Sequence, residues 1–286
     1  MIAMKLLTLN THSLEEPGYV EKTEKFIEML VKEQPDIVAL QEVNQSQNAA
    51  ELPDVMLDGY TRCGGFELPV RADNHAAYVV KELRKRGIYY DWTWISAKTG
   101  YGKYDEGMAL LSRKPIARVQ QFLISKTDDY ENWKTRRTLG IQPEGSSDWF
   151  FTVHMGWWND EEEPFADQWK CIQEALKDPE YGEGIIWLMG DFNSQADVRG
   201  EGYDLVLKSG WKDTYLLAEE KDDGITVAEE IDGWREEDGR SGSTKNEKRL
   251  DYIFCNTPAD VRSSNVICNG KNAPVVSDHY GVMITV

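Results

Sequence analysis

Acidic, amide and imidazole side chains follow the ends of several apolar segments in this sequence, and these are side chains that carry out hydrolysis. The clearest case is "IIWLMGDFNSQAD", residues 185–197, in which five apolar residues and a glycine precede Asp191 and Asn193. On its own the pattern is also that of a strand followed by a turn, because Asp and Asn side chains hydrogen-bond to the nearby backbone. In an extended segment, residues two apart face the same side, so both side chains can face one site.

The same arrangement recurs along the chain. Polar residues stand at the ends of other apolar segments: Asn10, Glu42, Glu106, Arg136, Arg137, His154, Asp251, Asp278 and His279. Each one alone is explained as a capping or turn residue. Independent caps do not readily explain the whole set, so we predict that these side chains converge at the rim of the fold.

Hydrophobic periodicity predicts the elements that position this set. A strand over residues 4–9 and the strand "DIVALQE" flank a helix with apolar residues at Phe26, Ile27, Leu30 and Val31. Later strands are predicted at "YYDWTWIS", "GMALLSR", "ARVQQFLIS", "RRTLGIQ", "DWFFTVH", "GIIWLMG", "LDYIFCN" and "GVMITV", and a second helix at Phe165, Trp169, Ile172 and Leu176. Many strands with few helices, and no interdomain linker, predict a mixed α/β sandwich formed by one domain over residues 1–286.

Composition narrows the class of protein. The net charge of −18 opposes binding to nucleic acid, because an acidic chain must approach a polyanion against its own field. The spacing of the four cysteines suggests neither a zinc site nor a disulfide framework. No secretory signal and no membrane span is recognisable, so a cytoplasmic protein is expected. Residues 219–248 are polar and acidic, and are predicted to be a long surface excursion.

The ordered set of motifs resembles a known superfamily. "LLTLN", "IVALQEV", "GMALLSR", "FTVH", "MGDFN", "RLDYIF" and "SDH" occur in the order seen in the endonuclease/exonuclease/phosphatase superfamily, which includes DNase I-like nucleases, abasic-site endonucleases, inositol-polyphosphate 5-phosphatases and bacterial sphingomyelinases. The match runs from about residue 5 to the C-terminus. It implies a DNase I-like, four-layered α/β sandwich, in which two packed mixed β-sheets are flanked by helices and the site lies at one rim.

The chemistry of phosphate esters assigns metal-binding roles to part of the set. A hard cation neutralises the charge that repels a nucleophile, and Mg²⁺ prefers carboxylate ligands while it retains waters. Glu42 and Asp278 are the expected ligands of Mg²⁺, with Mn²⁺ as the alternative, and neutral Asn10 would orient a metal-bound water or a phosphate oxygen. The number of metal ions, one or two, stays open.

The resemblance implies roles for the remaining residues. Asp191 and Asn193 would position a water or bind the phosphate. Asp251 would pair with His279 and Glu106 with His154, because a carboxylate fixes the tautomer of an imidazole and supports its charged form. Which histidine is the acid and which the base stays open. The other two histidines, His12 and His75, have weaker claims, and His75 is expected in a surface loop.

The substrate-binding residues are predicted from alternation and from aromatic content. Strand alternation lets only one of Arg136 and Arg137 face the site, and the R-x-x-L pattern favours Arg136. Aromatic residues crowd the expected loops, and Trp157 and Trp158 are predicted to stack on a sugar; the others are Trp92, Trp94, Tyr101, Tyr104 and Trp133.

The predicted substrate is a phosphorylated sugar. "YDEGMALLSR", "NWKTRRTLGI", "VHMGWW" and "IDGW" resemble a bacterial subgroup that includes maltose 6′-phosphate phosphatases, which implies hydrolysis of a disaccharide 6′-phosphate. One alternative is a DNase I-like or abasic-site endonuclease, and another is a non-catalytic binding protein with this fold. No basic stripe and no exposed apolar hairpin is evident, which argues against nucleic acid and membrane lipid as partners. The sequence leaves the oligomeric state open.

Overall fold

A computed structural model describes residues 3–228, 231 and 247–286 of the chain. Within these ranges the strands are β1 (Lys5–Asn10), β2 (Ile37–Ser46), β3 (Asp91–Gly100), β4 (Tyr104–Ser112), β5 (Ile116–Leu123), β6 (Arg137–Pro143), β7 (Trp149–His154), β8 (Ile186–Asp191), β9 (Lys212–Asp213), β10 (Glu220–Lys221), β11 (Asp251–Cys255), β12 (Ser263–Ile267) and β13 (Gly281–Thr285). The α-helices are α1 (Tyr19–Glu33), α2 (His75–Lys85), α3 (Phe165–Ala175), α4 (Gly202–Lys208) and α5 (Thr214–Leu217).

The strands form two mixed sheets. The order in the first sheet is β10-β12-β13-β1-β2-β4-β3, and in the second it is β5-β6-β7-β8-β11-β9. β1 runs parallel to β2, and β7 runs parallel to β8. β1 and β8 each end in a polar residue, Asn10 and Asp191, and these two side chains meet at one rim of the sandwich.

Apolar clusters separate four layers. The inner faces of the two sheets pack together through a cluster that includes Leu110 and Met189. α1 and α2 cover the outer face of the first sheet through residues such as Phe26, while α3 and α4 cover the second sheet through residues such as Trp169. Each large side chain removed from water in this way contributes about 1.5–3 kcal/mol. The four-layered α/β sandwich predicted from the sequence is confirmed.

Several predicted elements differ in their bounds. The strand predicted at "GMALLSR" begins earlier, at Tyr104, so Glu106 lies inside β4 and does not precede it. The prediction that His75 lies in a surface loop is wrong: His75 is the first residue of α2, only 3% exposed, and its Nδ1 lies 3.0 Å from the Tyr19 hydroxyl. Asn74 caps this helix by accepting a hydrogen bond from the backbone N–H of Ala77.

The polar segment over residues 219–248 is described only in part. β10 pairs with β12, and Val227 bridges to Lys248, so both ends of the segment are anchored. Residues 229–230 and 232–246, which include most of the "IDGW" motif, lie outside the described residues. None of the helices in the described ranges combines the length and apolar composition needed to cross a bilayer.

Candidate active site

The Asn10 side-chain amide joins the two sheets at the rim where β1 and β8 end and where β2 is interrupted by a bulge. The Asn10 Nδ2 donates to Glu42 Oε1 at 2.9 Å and to Asp191 Oδ2 at 3.2 Å. The pairing of β2 with β4 shifts register between Leu40 and Val43, and Glu42 has the left-handed φ of 52° within this bulge. Bulges redirect a side chain next to an active site, and here the bulge accompanies a carboxylate that faces the second sheet.

Negative charge is concentrated around Glu42. Loss of solvent contact and the neighbouring carboxylates of Glu106 and Asp278 raise the pKa of Glu42 to about 7. Carboxylates held this close repel one another, and a cation bound between them would relieve the repulsion. Oxygen donors are the ligands that Mg²⁺ prefers. Glu42 and Asp278 therefore fit the metal-binding role predicted for them.

Two histidines flank the Asp191 carboxylate. His279 Nε2 lies 3.8 Å and His154 Nε2 lies 3.7 Å from Asp191 Oδ2. The structure also brings His279 and Asp251 together, with 2.9 Å between His279 Nδ1 and Asp251 Oδ2. Burial by itself would lower the pKa of His279, but the Asp251 and Asp191 carboxylates outweigh it and raise this pKa well above 6.5. His279 is therefore cationic near neutral pH.

The predicted pairing of Glu106 with His154 is wrong. Glu106 Oε1 lies 3.1 Å from the Lys98 ammonium, and Lys98 and Glu106 are direct cross-strand partners between β3 and β4. An ammonium stays charged over a wider range of pH than an imidazole does, so at that register position it is the stronger partner for a carboxylate. Burial, together with the positive charges of Arg136, Lys98 and His279, lowers the pKa of His154 well below 6.5, so His154 is neutral.

The side chains of Arg136 and Arg137 have different neighbours. Arg136 is only 4% exposed, its Nη1 donates to the carbonyl oxygen of Trp133 at 2.8 Å, and its charge interacts with Glu106 and Asp191. Arg137 instead lies over the ring of Phe66, with 5.0 Å between the guanidinium carbon and the ring centroid. Arg136 is thus the arginine that the structure brings to the site, as the R-x-x-L pattern favoured.

The tryptophan rings near the site differ from the prediction that Trp157 and Trp158 stack on a sugar. Trp158 is half-buried and packs against Phe165 of α3, at 6.3 Å between ring centroids. Trp157 is half-buried, and its ring lies 5.6 Å from that of Trp133. Trp133 is 50% exposed, and its carbonyl oxygen accepts the hydrogen bond from Arg136. The exposed ring beside the site therefore belongs to Trp133.

Backbone contacts hold Asn193 beside Asp191. Its N–H donates to Asp191 Oδ1 at 2.8 Å, and its Nδ2 donates to the Met155 carbonyl at 2.9 Å, with a left-handed φ of 45°. On the other side of the rim, His12 Nδ1 lies 2.8 Å from Glu16 and 3.9 Å from Asp278. His12 therefore lies closer to the site than the sequence suggested.

Lys98 is the site residue that sequence reasoning missed. It lies in "WTWISAKTG" as the one lysine in a strand that is otherwise apolar, small or hydroxylated after Asp91. A charged residue is almost never fully buried unless it is paired, and this was the available signal. Its partner could not be identified from the sequence, because a register shift in β3 decides which residue of β4 it faces.

The sequence and the fold match those of known proteins. The sequence profile of the endonuclease/exonuclease/phosphatase family matches residues 7–279. An endonuclease/exonuclease/phosphatase family protein from Leptotrichia buccalis is 34% identical, with a TM-score of 0.82 and coverage of 98% of both chains. No protein with a curated description matches this sequence.

More distant solved structures share the fold. A mannosyl-6-phosphatase from Bacteroides thetaiotaomicron is 17% identical, with a TM-score of 0.64 and coverage of 99% of both chains. A truncated TDP2 from Caenorhabditis elegans is 15% identical, with a TM-score of 0.61 and coverage of 99% of this chain and 97% of that one. The profile match and the relative at 34% identity show that the chain belongs to the endonuclease/exonuclease/phosphatase family, whose members are phosphoric ester hydrolases that need a divalent metal.

Proposed function

We propose that this protein is a Mg²⁺-dependent phosphatase of phosphorylated sugars, with a disaccharide 6′-phosphate as the preferred substrate. The observation that carries the proposal is Trp133. Its half-exposed ring lies next to the site, while its carbonyl oxygen holds Arg136, a cation that faces the carboxylates of the site. One residue thus places a sugar-stacking surface beside a phosphate-binding group.

Two further observations support a small substrate over a nucleic acid. The net charge of −18 disfavours an extended polyanion, whose binding depends on lysines and arginines along its backbone. A mannosyl-6-phosphatase has the same fold, so the fold is compatible with a sugar phosphate. The family also includes endonucleases and exonucleases, so nuclease activity is the alternative that the experiment below must exclude.

Glu42 and Asp278 would hold the metal, with Asn10 fixed between Glu42 and Asp191. The bound cation would neutralise phosphate charge and polarise the ester. Burial and the Asp251 charge raise the pKa of Asp191 to about 6, although the positive charge of His279 works against this rise. Asp191 is thus deprotonated at neutral pH yet basic enough to accept a proton from the attacking water.

The two histidines then have different roles. Cationic His279, oriented by Asp251, would hold the oxygens of the phosphoryl group as charge develops on them. Neutral His154 would donate a hydrogen bond to the same group. Asn193, fixed by its bonds to Asp191 and Met155, would orient the water.

A cytoplasmic location fits this proposal. All four cysteines lie within the described ranges of the chain, and each is a free thiol. Cys63, Cys255 and Cys268 are buried and Cys171 is exposed. Disulfides are rare in the cytoplasm, where thiols are kept reduced.

The substrate class is tested by assaying phosphate release and DNA nicking side by side. In Mg²⁺ at physiological salt, we expect phosphate release from a panel of sugar phosphates, fastest from disaccharide 6′-phosphates, and little nicking of supercoiled plasmid. The contrary result, efficient nicking with no phosphate released from any sugar phosphate, would assign the site to the nuclease alternative. Absence of both activities would favour a binding protein.

Removal of the Trp133 ring should weaken sugar binding selectively. We expect Trp133→Ala to raise KM for the sugar phosphate by about 2- to 10-fold, as for a lost aromatic contact, and to leave KM for a small aryl phosphate almost unchanged. Tyr89→Ala is the matched control, because Tyr89 is 60% exposed and lies under Arg84, away from the site residues. An equal change in KM for both substrates would rule out the sugar-stacking role.

A further inference from the structure

Lys98 is a buried cation that the proposed mechanism does not use. It is 7% exposed, and its Nζ lies 2.9 Å from the Trp133 carbonyl oxygen and 3.1 Å from Glu106 Oε1. An ammonium has three donors, and these two contacts are the ones found for it among the residues the structure describes. A buried charge is costly unless it is fully bonded, so its position calls for a further partner.

A β-bulge fixes the position of this lysine. The pairing of β3 with β4 shifts register between Ser96 and Lys98, opposite Gly107. A Cβ at position 107 would lie only 1.8 Å from the Ile95 carbonyl oxygen, so the bulge requires glycine there. As a result Lys98 stands directly across from Glu106, on the side of the sheet where the other polar site residues lie.

Lys98 and Arg136 share one acceptor. The Trp133 carbonyl oxygen accepts from Lys98 Nζ at 2.9 Å and from Arg136 Nη1 at 2.8 Å. Two positive charges held on one oxygen repel each other, and this repulsion adds to burial in lowering the pKa of Lys98. The Nε of Arg136 is buried and has no hydrogen-bond partner within the described ranges. An anion that accepted from both cations would satisfy these donors and relieve the repulsion.

The two cations face a common space with the catalytic groups. Lys98, Arg136, Glu106 and His154 line one cavity of about 10 Å³. That is roughly the size needed for one water molecule, and hence for one oxygen atom. The charge of each cation also acts on His154, whose pKa both of them lower. The pair therefore lies where an oxygen of the substrate phosphate would be bound.

We propose that Lys98 and Arg136 form a phosphate clamp that binds the phosphoryl oxygens and selects phosphomonoesters over phosphodiesters. This inference rests on the proposed function, because it assigns the charge state that the same site recognises. A phosphomonoester carries about −1.5 to −2 charge at pH 7, whereas a diester carries one negative charge for each phosphate. A second buried cation therefore favours the monoester, and the Glu106 carboxylate, 3.1 Å from Lys98 Nζ, favours the charged form of this lysine while the site is empty.

The clamp is tested with Lys98→Met, which keeps most of the length of the side chain and removes its charge. We expect kcat/KM for p-nitrophenyl phosphate to fall by about 10- to 100-fold, the effect of one lost hydrogen bond to a charged group. The rate with bis(p-nitrophenyl) phosphate should change much less. An equal fall in kcat/KM for the two esters would overturn the clamp, because it would show that Lys98 does not discriminate between substrates by their charge.

Two control variants separate the clamp from a structural role. Lys177→Met removes an exposed lysine that also pairs with a carboxylate, Glu174, and should leave both rates unchanged. Lys98→Met combined with Glu106→Gln removes both charges, so that no carboxylate is left buried without its partner. If this double variant regained the monoester preference, Lys98 would be only the counterion of Glu106, and the clamp would be wrong.

Binding of inorganic phosphate tests the clamp without turnover. In Mg²⁺ buffer, calorimetry should show that Lys98→Met weakens phosphate binding by about 10-fold or more. Equal affinities for wild type and variant, or no binding by wild type, would overturn the clamp. A wild type that binds phosphate through Lys98 but releases none from any sugar phosphate would instead refute the proposed substrate and leave the clamp in place.

Discussion

Replacement of Glu42 by glutamine is expected to lower Mg²⁺-dependent phosphate release by about three orders of magnitude, since a bound metal supplies several kcal/mol of transition-state stabilisation. Glutamine has the size of glutamate and still offers an oxygen to Asn10 Nδ2, which donates to Glu42 at 2.9 Å. The fold should therefore persist while the charge needed for the metal is lost. Phosphate release across a Mg²⁺ titration, with calorimetric metal binding, measures the effect.

Glu220→Gln is the control for this substitution, because Glu220 is an exposed carboxylate on β10. We expect this control variant to have the activity of the wild type. The melting temperatures of both variants should stay near that of the wild type. If Glu42→Gln retained near-wild-type turnover at all Mg²⁺ concentrations, Glu42 would have to be removed from the set of metal ligands.

Replacement of Asp191 by asparagine should lower kcat/KM by about 10²- to 10⁴-fold and remove a dependence on pH, as for the loss of a general base. Burial raises the pKa of Asp191 to about 6, so the carboxyl is protonated below that pH and cannot accept a proton. Wild-type activity should therefore rise as the pH increases through about 6. Asparagine still accepts from the Asn193 N–H, which keeps the local backbone in place.

The pH profile is measured at saturating Mg²⁺ with one substrate for both enzymes, so that ionisation of the substrate contributes equally to each curve. His279→Ala should cost at least about 10²-fold, and Asp251→Asn should cause part of that loss, because Asp251 contacts His279 at 2.9 Å. An Asp191→Asn enzyme that kept the wild-type acid limb would show that another group is the base.

The rim of the site was predictable because it depends on the ends of strands. Asn10 and Asp191 stand at the ends of strongly apolar segments, and such segments identify strands with little ambiguity. Parallel pairing then brings the ends of neighbouring strands to one edge. The contact between Asp251 and His279 followed from the family resemblance, since the residues are 28 positions apart in the chain.

The remaining features depend on geometry that a single sequence does not determine. The partner of Glu106 depends on a one-residue register shift in β3, and such a shift changes which residues face each other. The adjacent residues Trp157 and Trp158 lie beyond the end of β7, where no alternation rule tells which ring packs inward. α2 was overlooked although Asn74 and the spacing of Val79 and Leu83 are helix signals.

The left-handed backbone conformation at Glu42 sets stability against activity at this position. A non-glycine residue with φ of 52° carries strain of about 1–3 kcal/mol, so glycine at this position would relieve that strain, at the entropic cost of a more flexible unfolded chain, and would remove the proposed metal ligand. A thermostability screen that does not assay turnover would therefore have little reason to reject Glu42→Gly. A homologue with glycine at this position is expected to keep the fold and to lack hydrolytic activity.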